Sequence, residues 1–438
     1  MNDILQLSDD KTTVLSVKDK NVKSVIIPDS VTEIGERAFR GCISLENIDI
    51  PDSVTQIGKR AFLGCSSLKS IDIPNSVTEI REWAFCRCSS LESIDIPDSV
   101  TKIGDYAFDE CLSLKSIDIP DSVTEIGEWA FWGCSSLMSI DIPNSVTEIR
   151  EWAFYGCESL ESIDIPDSVT QIGESAFTGC SSLKSIDIPD SVTEIGKSAY
   201  SGCSSLKNID IPNSVTQIGD WAFSICSSLK SINISNSVTQ IGERAFNGCS
   251  SLESVNVAKN NSVYKSVDGV LYNNKLTSII HFPLKHSNTS FVIPDSVTEI
   301  GDDAFYECSS LNSIDIPDSV TKIGESAFWG CSSLESIVIP NSVTDIGKSA
   351  FGRCSSLKSI DIPNSVTEIG ESAFDGCEYI ESIIIRCKDI DNIKIGDNPF
   401  NDNIYNESVL HIPSGTRWAY RHHPIFGKFK NIVTERFD

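Results

Sequence analysis

From residue 25 to residue 385 the apolar positions follow one pattern with a 23-residue step. A typical unit runs Cys65-SSLKSIDIPNSVTEIREWAF-Cys86-Arg87 and closes at Cys88. Its interior candidates are a Leu column (Leu45, Leu68, Leu91), two Ile columns (Ile48 and Ile50, Ile71 and Ile73), a Val column (Val31, Val54), a third Ile column (Ile34, Ile57) and an Ala-Phe pair (Ala38-Phe39, Ala61-Phe62). The Phe column continues through Phe85, Phe108, Phe131, Phe154, Phe177, Phe223 and Phe246 to Phe374, with Tyr200 as its one exception. A fixed period of this size marks a repeat array, because one unit cannot bury its apolar face alone and stacked units bury a continuous core. The stretch LxxIxI predicts a short strand with Leu and both Ile inward, ended by a Pro that has no N–H to give a ladder. The PxSVTxIG stretch predicts a turn and a second short extended segment, and ExAFxGC has room for about one helical turn. With parallel strands about 4.8 Å apart, the chain forms about 15–16 coils.

Three places break the pattern. Residues 1–24 lack the Ala-Phe and Cys marks and alternate weakly, which predicts an N-terminal cap built as a hairpin. Residues 25–257 are a first block of ten units. Residues 258–290 replace one unit with a longer one, in which Asp268-Gly269 and Asn273-Asn274 between apolar runs are hairpin signals. Residues 291–385 hold four further units, and residues 386–438 read as a degenerate repeat and a C-terminal cap.

Composition sharpens this picture. Of 438 residues, Lys and Arg number 35 and Asp and Glu 62, a net charge of −27. That sign argues against nucleic acid, which requires a basic footprint, and against anionic membrane surfaces. No run of about 18 apolar residues offers a membrane span. Sixteen cysteines look at first like a disulfide inventory, but fourteen of them, from Cys42 to Cys377, keep the repeat's register. One cysteine per coil pointing into a core predicts buried free thiols, which behave as small hydrophobes. The rival readings are a metal or a disulfide ladder, and only Cys86-Arg87-Cys88 approaches a zinc-ligand spacing. Cys86 stands where other units carry Arg40, Leu63, Asp109 or Trp132, so it is expected to be more exposed and more reactive.

The unit CxSLxxIxIPxSVTxIGxxAFxGC resembles the BspA-like leucine-rich repeat, a 23-residue class of the leucine-rich-repeat superfamily. The segment from Tyr264 to Pro283 is similar to the hairpin unit of such arrays, and that from Leu410 to Ile432 to their C-terminal cap. The resemblance implies a right-handed solenoid with a parallel β-sheet on its concave face and short extended or helical segments elsewhere. It implies a surface or secreted protein that binds other proteins, often as an adhesin, and it carries over no catalytic residue. Residues 1–20 hold neither a basic n-region nor an apolar h-region. With the free thiols, that points to a reducing compartment and pulls against the surface location.

Two surface columns are candidates for function. The residue between the two Ile of each strand faces outward and is Asp49, Asp72, Asp95, Asp118, Asp141, Asp164, Asp187 and Asp210 in eight successive coils. It reads either as a solvated face or as a surface for a basic partner or divalent cations, although no calcium-loop motif supports the cation version. The second column precedes and follows Ala-Phe: Trp83, Tyr106, Trp129 and Trp152 in four successive coils, with Trp132 and Tyr155 beside them. These rings are either a contact patch, since Trp and Tyr concentrate in binding hot spots, or a stack that extends the core outward. No nucleotide, metalloprotease or hydrolase motif is present, and no cofactor is expected. The expected function is a non-enzymatic scaffold binding an unidentified protein. The alternatives are a carbohydrate-binding surface protein using the Trp/Tyr patch, and self-assembly through the ends, where residues 417–438 carry a local charge of +3.

Overall fold

Each 23-residue unit closes one turn of a coil, and the hydrogen bonds that close it run from turn to turn. In the computed structural model, which describes residues 4–437, the chain forms two compact units, Met1–Cys249 and Ser250–Asp438. The fold is a parallel-strand β-solenoid with few helices, of about 18 turns. The terminal segments add turns of their own to the 23-residue array.

The local sequence explains the path of one turn. The Pro51 carbonyl accepts from the Val54 N–H at 3.0 Å, a tight turn that Pro-x-Ser-Val repeats throughout. The Ser and Thr flanking that Val hold the turn below: Ser53 Oγ donates to the Val31 carbonyl at 2.7 Å and Thr55 Oγ1 to the Thr32 carbonyl at 3.2 Å. Val54 is buried between them. The Thr-x-Ile stretch then pairs in parallel, as Glu33–Ile34 with Gln56–Ile57, and from Glu148–Ile149 step by step to Gln240–Ile241. The Ile-x-Ile strands pair less evenly. Ser24–Ile26 pairs with Asn47–Asp49, while Asp72, Asp95 and Asp118 meet through single bridges.

The Ala-Phe corner departs from the expected helical turn. Arg60 has φ +59° and Gly64 φ +76°, so left-handed residues interrupt the corner and no helix can propagate through it. The corner is a run of overlapping tight turns: Ala61 N–H to the Gly58 carbonyl at 3.1 Å, Leu63 to Arg60 at 3.2 Å, Cys65 to Phe62 at 3.0 Å. The N–H groups left over reach the next coil, as Phe62 N–H to the Ala84 carbonyl at 2.9 Å. The Gly before the corner answers to crowding. A Cβ on Gly58 would sit 2.6 Å from the backbone of the preceding coil, and Gly58 is not in the left-handed region. Arg81 and Arg150 nonetheless occupy this position in two coils, as expected for a site that does not require positive φ.

The core is a set of columns. Phe39, Phe62, Phe85 and Phe108 stack with centroids 5.1, 5.4 and 5.6 Å apart. All sixteen cysteines are free and buried. Each array thiol from Cys65 onward also makes a polar contact. Cys65 Sγ donates to the Phe39 carbonyl at 3.1 Å, and Cys88, Cys111 and Cys134 repeat the contact at 3.2 Å. The expectation that Cys86 is exposed and reactive is corrected. It is 1% exposed, and its thiol donates to Asp109 Oδ2 at 3.1 Å. Desolvation and the Asp109 carboxylate raise its pKa, so it is held as the unreactive thiol.

The ends and the insert follow their sequence signals. Leu5–Leu7 pairs antiparallel with Thr13–Val17, and the latter pairs in parallel with Glu33–Ile34. In the second unit, Tyr264–Val267 and Val270–Asn273 form a hairpin whose Asp268-Gly269 turn has φ +50° and +81°. Ser278–His281 then rejoins the array in parallel with Glu299–Ile300. At the far end Tyr405 and Phe429 pack edge-on against Phe400, which extends the Phe column. A helix, Asp402–Glu407, leads into the strand Val409–Pro413, and a second, Arg417–His422, follows it.

Candidate interaction surfaces

The aromatic residues lie at the left-handed corner. Trp83, Tyr106, Trp129 and Trp152 have φ between +58° and +61°. Because Ala and Phe after them point inward, this conformation turns their rings outward into one row. Trp83 and Tyr106 stack at 4.0 Å, Tyr106 and Trp129 at 5.5 Å, and Trp129 and Trp152 at 4.7 Å. The Arg60 guanidinium covers the Trp83 ring at 5.5 Å. Trp132 and Tyr155 form a second row at 5.9 Å, tilted against Trp129 and Trp152 at 6.1 and 5.1 Å. The structure therefore brings all six together. Each is half-buried, with ring faces stacked against one another along each row. Burial and the carboxylates of Glu128 and Asp105 raise the pKa of the Tyr106 hydroxyl, which stays a neutral hydrogen-bonding group at its tip.

The outward strand positions Asp49, Asp72, Asp95, Asp118, Asp141, Asp164, Asp187 and Asp210 are all exposed. Parallel register sets each above the last, about 4.8 Å apart, where like charges repel by roughly 1 kcal/mol per pair even in water. Among the described residues only the last finds relief in its own column: Asn233 Nδ2 donates to Asp210 Oδ1 at 2.6 Å. The neighbouring column pairs opposite charges between coils, Glu92 with Lys115 at 3.0 Å and Glu161 with Lys184 at 2.7 Å. Among the described residues no group of His, Cys, Asp and Glu is placed to hold a metal ion. No helix among them is long and apolar enough to cross a membrane.

Sequence reasoning missed two features. Asp109 is buried beside Cys86, its Oδ1 without a hydrogen-bond partner among the described residues, and nothing in a variable outer position marks that burial. In the second unit Arg386 grips Asp361 through Nε and a terminal nitrogen at 2.8 and 2.7 Å. A signal existed here, since Arg386 stands where the pattern has Pro after Ile-x-Ile.

Comparison with known proteins agrees with this geometry. The profile of the BspA type leucine rich repeat region matches six copies, over residues 16–138, 101–199, 176–285 and 281–406. A leucine-rich repeat protein from Bacteroides ovatus is 33% identical over 87% of this chain and 92% of its own, with a TM-score of 0.62. One from Eubacterium ventriosum is 24% identical over 69% of this chain and 73% of its own, with a TM-score of 0.53, and shares the fold. No curated protein matches the chain. Repeat period, coil geometry, family profile and the Bacteroides relative agree, and the chain belongs to the BspA-type leucine-rich repeat family.

Proposed function

We propose that the chain is a non-enzymatic, adhesin-like scaffold that binds a protein partner through the aromatic row of its first unit, with the Asp column as a second, acidic surface. The observation that carries this is a contrast between coils. Ser175 and Ser198 occupy the same left-handed corner at φ +53° and +54°. The fold is thus satisfied by serine, and the rings of Trp83, Tyr106, Trp129 and Trp152 are additional to it. Half-buried, pre-stacked aromatic side chains lose little rotamer freedom on binding and offer large apolar area, the properties of hot spots. A protein suits this surface better than a sugar: sugar recognition by stacking uses the ring face, and these faces are taken up by neighbouring rings.

The test is capture of partner proteins from the native source by the immobilised chain, run beside a Trp129→Ser/Trp152→Ser double variant and a glycan array. The reading expects a protein captured by the parent chain and at least about tenfold less of it by the variant, the loss of roughly 1.4 kcal/mol or more. Equal capture by the two, or glycan binding that the variant abolishes, contradicts it.

A further inference from the structure

The second unit's outward strand column has a different chemistry. Strands Ser336–Val338, Ser359–Ile362, Ser382–Ile385, Val409–Pro413 and Asn431–Glu435 form one parallel sheet. Its register sets Val338, Asp361, Ile384, His411 and Val433 in line on the outer face. Val338 is 76% exposed and Val433 42%, at positions where the first unit carries Asp. The two acids of this face are already engaged, Asp361 by Arg386 and Glu435 by His411 Nδ1 at 2.6 Å. The Arg386 guanidinium also lies 5.1 Å over the Phe437 ring. Of these residues, Val338, Asp361, Arg386, Glu435 and Phe437 line a groove of about 790 Å³ whose walls include Lys388 and Arg436. Neither cation forms an ion pair with a described residue. Among the described lining residues three cations, Arg386, Lys388 and Arg436, face two carboxylates, Asp361 and Glu435, which leaves the groove net positive on a chain of net charge −27, beside the exposed Val338.

From this we infer a second binding site, for an extended acidic peptide with apolar side chains alternating with carboxylates. Extended peptides place alternate side chains on opposite sides, so one set can cover Val338 while carboxylates reach Lys388 and Arg436 on the walls. Charge-assisted hydrogen bonds to Arg436 supply orientation, and burial of the valine supplies apolar area. The groove has a volume typical of a ligand site. This site is independent of the aromatic row.

The test is fluorescence polarisation with a labelled Gly-Glu-Leu-Glu-Leu-Glu-Gly peptide and the full chain. Val338→Asp restores the residue most coils carry, so it folds, and its far-UV circular dichroism should match the parent. Val338→Asp and the double variant Lys388→Glu/Arg436→Glu are each expected to weaken binding at least tenfold, as is replacing the peptide's Glu by Gln. Lys230→Glu, in the first unit, changes nothing. Absence of binding to the parent chain, equal binding of the Gln peptide, or binding indifferent to the groove variants overturns the inference. Displacement by a heparin fragment as effective as unlabelled peptide would assign a general anion site, and would also overturn it.

Discussion

Single side chains set local stability in this repeat, because each faces near-identical neighbours above and below. Tyr200 shows this best. It replaces Phe in the stacked column, 5.3 Å from Phe177 and 5.5 Å from Phe223, and its hydroxyl is buried with no hydrogen-bond partner among the described residues. An unsatisfied buried hydroxyl costs about 1–3 kcal/mol. Tyr200→Phe is therefore expected to stabilise the chain by about 1 kcal/mol or more, read as a higher urea midpoint with unchanged slope. Asp109 gives a pH signature. Burial raises its pKa above the usual 3.8, against the smaller effects of the Cys86 thiol and Arg87. A raised folded-state value means the folded chain holds the proton longer than the unfolded chain. Stability is then highest below about pH 4 for this group and falls as pH rises through the folded value. Asp109→Asn, which keeps an acceptor for Cys86, should raise stability at pH 7 and remove that fall. A parallel pH profile for variant and parent would show that Asp109 is not the group responsible.

At the scale of the element, the left-handed corner governs. Two positions per turn sit at positive φ, and the second is Gly in most coils, as Gly133 at +67° and Gly156 at +70°. Ile225 occupies it at +59° while 58% exposed, a β-branched side chain in a conformation that costs L residues roughly 1–2 kcal/mol. Ile225→Gly removes the strain without emptying the core, so it should raise the thermal midpoint; a lowered midpoint would show that the side chain's contacts outweigh the strain. This corner also marks the limit of what is legible in the sequence. The strand, the Pro turn and the core columns follow from residues with one strong physical meaning each: Ile inward, Pro without a donor, Phe in register. The position before Ala-Phe holds Arg60, Trp83 or Ser175, and none of these announces a left-handed backbone, so the sequence points to a helical turn instead. The burial of Cys86 is hidden for a related reason. The position after Phe is Leu63 in one coil and Trp132 in another, and its burial in the Cys86 coil depends on Asp109 one turn away. The aromatic row is legible as a column, but its stacking distances depend on the pitch between coils.

For the whole molecule, the cysteine columns turn composition into a stability profile. Burial pushes the Cys65 thiol from 9.0 up to about 12, and Cys203 likewise up to about 12. Raised thiol values mean that stability is fully present below about pH 9 and is lost progressively as pH rises from there toward 12. The chain should therefore unfold cooperatively in alkali, and a flat stability profile to pH 11 would contradict the buried-thiol core. At pH 8 the array thiols should resist alkylation in the native state and all sixteen should react in denaturant; far fewer reacting would mean that the thiols are not free. The central claim is that the coil carries the fold while the corner residues of four successive coils carry recognition. The direct measurement replaces Trp83, Tyr106, Trp129 and Trp152 together by serine, the residue that Ser175 and Ser198 supply in later coils, and follows thermal unfolding and partner binding in parallel. The account predicts a chain that still unfolds in one cooperative transition but has lost at least about 30-fold in affinity, roughly 2 kcal/mol. A folded variant that binds as tightly as the parent would contradict it.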